Sequence, residues 1–79
     1  MNDYTQQMFR HVRHFLTEHP GSTKMAIGQH LAKIHMFACN SWEKSCLARR
    51  TTALNEVLDS GAFENRGTER SHVWHIKGD

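Results

Sequence analysis

Between Lys44 and Asn55 the chain carries Lys44, Ser45, Arg49, Arg50, Thr51, Thr52 and Asn55, a set of cations, donors and acceptors with no nucleophile set beside a general base. These residue types recognise a partner rather than make or break bonds. Asn can pair bidentately with adenine and Arg with guanine, Ser and Thr serve base edges or phosphates, and a methyl group such as that of Ala48 can touch thymine. Lys24 sits where a helix would start, and helix N-termini attract anions. Arg66 and Arg70 flank a glycine-containing turn that could reach a phosphate or an adjacent groove. Double-stranded DNA is the partner these types imply. The same residues would also suit an ordinary solvated helix face, and Glu56 and Asp59 would repel a duplex that came close.

Other chemistries fit less well. Seven histidines invite a metal ion, and His11 and His14 lie at i, i+3, but no third ligand is near them in sequence. His72 and His75 fall on opposite faces of a strand. His30, His35, Cys39 and Cys46 lack the paired spacing of a zinc finger. No metal and no cofactor is therefore expected. Either cysteine could lie near a histidine, yet nothing specifies a pocket or an oxyanion site, so the chain is not expected to be an enzyme. On one helix Cys39 and Cys46 would sit roughly 10 Å apart, too far to bridge. With no export signal, they read as reduced thiols.

The elements that must position these side chains follow from the apolar periodicity. Met8, Phe9, Val12, Phe15 and Leu16 form one stripe of a first helix over 3–19, starting at Asn2 or Asp3 and stopped by His19-Pro20-Gly21. Arg10, Arg13 and Thr17 occupy its wet side. Ser22 or Thr23 can cap a second helix over 23–34, with Met25, Ile27, Leu31 and Ile34 inward. Residues 35–41 lose the period, and Asn40 or Ser41 offers the next cap. Met36, Phe37 and Trp42 give this connection more apolar area than a loop needs, and they are expected to fold inward. The third helix, over 42–60, has the stripe Cys46, Leu47, Ala53, Leu54, Val57 and Leu58, with Gly61 placed for a left-handed turn at its end. Arg50 falls inside that stripe. Because an unpaired buried guanidinium is very costly, either its stem lies along the core edge with the head emerging, or the helix begins near Arg49. After Gly61 the period becomes two, giving a hairpin over 62–77 with the polar turn Arg66-Gly67-Thr68-Glu69-Arg70 and with Trp74 and Ile76 on the core face.

Three helices followed by a hairpin is the order of a winged helix-turn-helix domain, and residues 22–78 resemble that family. The run Leu54-x-x-Val57-x-x-x-Gly61-Ala62-Phe63 looks like the passage from a recognition helix into a wing. The closing Val73-Trp74-His75-Ile76-Lys77-Gly78 is similar to the last strand of the very small winged-helix regulators of bacterial fimbrial operons. The resemblance implies an α+β fold in which the third helix enters the major groove and the hairpin acts as a wing. It also implies transcriptional regulation as the function, in a bacterial or phage setting. The connection between the second and third helices is longer than the tight turn of the motif, which leaves the start of the third helix open.

Size and charge bound these readings. A chain of 79 residues has room for one small core, hence one domain over 1–79. Its longest apolar run, Met36-Phe37-Ala38-Cys39, is far too short to cross a membrane or to serve as a secretory signal, so a cytoplasmic location without membrane contact is expected. The net charge of +2 is permissive for nucleic acid without being diagnostic. Symmetric recognition would call for a homodimer, and binding assisted by a protein partner fits equally well. A different class of function remains: a winged-helix adaptor or inhibitor that binds protein and not DNA, in keeping with the low net charge and the acids mixed among the cations.

Overall fold

The computed structural model describes residues 2–40 and 43–78. Helix α1 runs Asp3–Glu18, capped by Asn2, whose side chain accepts from the Thr5 amide at 2.8 Å. Its inward side carries Tyr4, Thr5, Met8, Val12 and Leu16, all buried, while Phe9 and Phe15 pack partly buried against the same core. Gly21 takes a φ of 82° at the turn that follows, a conformation open to glycine at little cost.

Helix α2, Lys24–Ala32, is capped by Thr23, whose hydroxyl accepts from the Ala26 amide at 3.1 Å. It is shorter than the periodicity suggests, since Ile34 is already extended and precedes a 3₁₀ turn at His35–Phe37. Ile27 and Leu31, four residues apart, define its buried line. Met25 was expected inward and instead stands 74% exposed, because a residue two places before Ile27 projects from the far side of a helix. The connection also divides. Phe37 is fully buried, whereas Met36 is 43% exposed, and Trp42 lies outside the described residues.

Helix α3 runs Lys44–Leu58 and buries Ala53, Leu54, Val57 and Leu58. Gly61, at φ 95°, turns the chain out of it. Strands β1, Phe63–Asn65, and β2, Trp74–Ile76, pair antiparallel in the register Phe63↔Ile76, Glu64↔His75, Asn65↔Trp74. They are shorter than the extended pattern suggested, because Asn65 turns the chain early: its side chain accepts from the amides of Gly67 and Val73 at 2.9 and 3.0 Å.

An isolated hairpin is marginal in water, and two ties hold this one to the helices. Trp74 and Ile76 pack against the core. On its other edge β2 meets the connection between α1 and α2, where the Gly21 amide donates to the Trp74 carbonyl and the Trp74 amide to the Ser22 carbonyl, both at 2.9 Å. The result is a small α+β fold, three helices and then a two-stranded hairpin, with α1 packed against α2, α3 and β2. No helix is long and apolar enough to cross a membrane among the described residues.

Candidate nucleic-acid interface

The inward side of α3 is fixed by its buried residues, and the opposite side follows from the helical period. Ser45, Ala48, Thr52 and Asn55 lie there, Lys44 and Thr51 stand on one flank, and all six are exposed. Six of the sequence-selected positions on this helix thus stand at or near one surface. Lys24 joins them from the first turn of α2, its ammonium donating to the Asn55 side-chain carbonyl across 31 positions of sequence. That contact makes the start of α2 and the outer face of α3 one continuous surface.

The two remaining arginines of α3 are turned elsewhere. The guanidinium of Arg49 lies over the Tyr4 ring, 4.0 Å from its centroid. Such stacking occupies the face of the guanidinium and leaves its in-plane N–H groups available to an acceptor. Between this side of α3 and the start of α1 runs a shallow recess of about 260 Å³, bordered by Ala48, Thr52 and Glu56. Arg50 is half-buried and donates from Nη1 to the Phe37 carbonyl at 3.2 Å. Its stem runs along the core and its charge caps a backbone acceptor, so the first of the two sequence alternatives is the one adopted, and α3 begins well before Arg49.

At the hairpin tip Arg66 is held by Glu64, with Nη2 and Nε at 2.6 and 2.7 Å from the same carboxylate oxygen. Arg70 is exposed. The turn between them closes through paired backbone hydrogen bonds of Thr68 and Ser71 at 3.1 and 3.2 Å. Gly67 is required by a close approach, since a Cβ there would stand 1.9 Å from the Ser71 carbonyl oxygen. The tip is some distance in sequence from α3.

The cysteines overturn the sequence reading. Cys39 and Cys46 form a disulfide, with their Cα atoms 5.9 Å apart. The spacing argument failed because it placed both on one helix; Cys39 belongs to the connection after the 3₁₀ turn, which folds back so that it faces the first turn of α3. Both residues are half-buried.

Four histidines gather near α2. The His30 ring stacks on Phe15 with centroids 4.5 Å apart, and its pKa is lowered, first by burial and then by His11, Lys33, His14 and His19. His14 lies 3.4 Å from Glu18. No group of three or more metal-ligating side chains occurs among the described residues.

No protein family, curated protein or solved structure matches the chain. The features that sequence reasoning missed are Tyr4 beneath Arg49, the pairing of Lys24 with Asn55, and the disulfide. Tyr4 could have been found, because Tyr4, Met8 and Val12 repeat at four residues and extend the stripe of α1 by a turn. The other two are contacts between separate elements and leave no periodic trace.

Proposed function

We propose that the chain is a DNA-binding transcriptional regulator of the winged helix-turn-helix type, in which α3 enters the major groove and the hairpin serves as a wing. The observation that carries this reading is the joined surface of α2 and α3, where Lys24 meets Asn55 and Lys44, Ser45, Thr51 and Thr52 stand exposed beside them. Base-reading types occupy the centre and cations stand where phosphates would pass, with Arg49 presented at the edge. Arg66 and Arg70 give the tip a sequence-independent role. On this reading the protein acts by occupancy, without catalysis and in the cytoplasm, either as a homodimer on a symmetric site or together with a protein partner.

Fluorescence anisotropy with a labelled duplex at about 50 and about 200 mM salt tests the proposal, since phosphate-dominated affinity must fall at least about tenfold between them. Arg49→Ala or Asn55→Ala should reduce discrimination between sites by about 1–3 kcal/mol. Arg66→Ala and Arg70→Ala should weaken binding to every sequence alike. A folded protein with no duplex affinity at the lower salt would sink the reading. The adaptor reading would then stand in its place, supported by the Glu64–Arg66 pair that dilutes the charge of the tip and by the exposed Met25.

A further inference from the structure

The three helices begin in two different ways. Asn2 caps α1 and Thr23 caps α2, each through a side-chain oxygen that accepts a backbone amide. The N-cap of α3 is Glu43, which makes no side-chain capping hydrogen bond. What stands at that end instead is the covalent bridge from Cys39 to Cys46, in the first turn of α3. Two weaker ties accompany it. Asn40 Nδ2 donates to Glu43 Oε1 at 3.1 Å, and Glu43 returns its amide to the Asn40 carbonyl at 3.0 Å. Arg50 holds the Phe37 carbonyl, and Phe37 itself is anchored in the core against Tyr4 and His11.

From this arrangement we propose that Cys39–Cys46 is a reversible redox clamp on the first two turns of α3. Oxidised, it fastens the start of α3 to the anchored Phe37 segment and does the ordering that a capping side chain does for α1 and α2. Reduced, that start keeps only its non-covalent ties and frays, while the buried half of α3 stays in place. The exchange balances with a low-molecular-mass thiol such as glutathione. One thiolate attacks Cys39 or Cys46 sulfur, forming a mixed disulfide and releasing the other cysteine as a thiolate; a second thiolate then attacks the external sulfur of that mixed disulfide and releases the remaining cysteine as a thiolate. Two thiols become one external disulfide, and the two electrons and two protons pass to Cys39 and Cys46. Both cysteines are only half-buried, so a small thiol can reach the bridge, and labile disulfides of this kind serve as sensors in reducing compartments. Lys44, Ser45 and Arg49 lie on the clamped turns, so on the DNA-binding reading above the oxidised form binds more tightly.

Native-state hydrogen exchange of the full chain, oxidised and after glutathione reduction, tests the clamp without reference to DNA. The amides of Leu47 to Arg50 should exchange at least about tenfold faster on reduction, with those of Val12 and Leu31 within about twofold of their oxidised rates. The double variant Cys39→Ser, Cys46→Ser should match the reduced protein and ignore thiol. Equal protection of Leu47 to Arg50 in both states overturns the clamp. So does a bridge that stays closed in a reducing glutathione buffer, or one that never closes in an oxidising one, each read by mass after alkylation. Duplex affinity measured on the same samples should fall several-fold on reduction. Faster exchange with no duplex affinity in either state would support the clamp and overturn the DNA reading alone.

Discussion

From Ala53 to Leu58, α3 sinks Ala53, Leu54, Val57 and Leu58 into the core, whereas from Lys44 to Thr52 its inward side is covered by the half-buried Cys46, Leu47 and Arg50. One half of the helix is rooted by packing and the other is tethered by a disulfide and a guanidinium. Packing in a small core is cooperative, so the rooted half sets the direction of the helix for the whole fold. The tethered half depends on a few separable contacts, and elements that must adapt to a partner are drawn from such low-stability regions. On the proposed function the two halves therefore divide the labour: Asn55 reads from a fixed position, while Lys44, Ser45 and Arg49 read from a turn whose order can be altered.

The sharpest way to break this contrast is to truncate one leucine in each half. Leu54→Ala should cost about 2–4 kcal/mol, since it opens a cavity where side chains have no room to relax. Leu47→Ala should cost about 1 kcal/mol or less, because its half-exposed site already meets water. Urea unfolding followed by circular dichroism gives both values. Equal losses would mean that the two halves form one packed unit, and the division drawn above would fail.

Arg50→Ala comes next. It removes the donor to the Phe37 carbonyl together with the aliphatic stem that covers the core edge, so a loss of about 1–2 kcal/mol is expected. Arg50→Lys keeps a charge and most of the stem but lacks the planar fork, and it should recover part of the loss. If Arg50→Ala unfolds at the same urea concentration as the parent, the guanidinium is not a tether.

The rooted half was legible in the sequence, as were the inward side of Cys46 and Leu47 and the edge-of-core alternative for Arg50, whereas the partners that tether the first half were not. Ala53, Leu54, Val57, Leu58 and Gly61 follow rules of spacing and backbone conformation that need nothing from the rest of the chain. The same holds for Thr23 as a cap and for the hairpin after Gly61. Cys39, Arg50 and Lys24 act through partners in other elements. Their roles depend on how the connection between α2 and α3 folds back, which no local period encodes. Met25 shows the opposite error: a residue apolar enough for the core was assigned to it by type, although its position relative to Ile27 and Leu31 puts it outside.

Helix starts offer a smaller comparison. Thr23→Ala should destabilise the fold by about 1 kcal/mol, because the Ala26 amide loses its acceptor. Glu43→Ala in the oxidised protein should stay within about 0.5 kcal/mol of the parent, since Glu43 has no capping bond to lose. The difference should narrow in the reduced protein, where the link from Asn40 to Glu43 is one of the few ties left at that end. A Glu43→Ala loss as large as that of Thr23→Ala in the oxidised state would show that the carboxylate, not the bridge, orders the start of α3.

The smallest effect separates the helices by pH. His30, on α2, is held below the usual histidine pKa by burial against Phe15 and by the neighbouring His11, Lys33, His14 and His19, with Glu18 beside His14 as the nearby acid. In the unfolded chain His30 would titrate near its ordinary value of about 6.5. Between that value and its lower folded value, the unfolded chain binds the extra proton, so stability must rise with pH through this window and be lost as pH falls through it. Above about pH 7.5 the residue is neutral in both states and contributes no slope. His30→Gln, which cannot be protonated, should flatten the part of the stability profile below about pH 6.5 that His30 carries, leaving the remainder to the other titrating groups. Its effect on hydrogen exchange should be felt at Leu31 and not at Leu47, because His30 packs on α1 and not on the clamped end of α3. An unchanged slope in the variant would mean that His30 is as well solvated in the fold as in the unfolded chain.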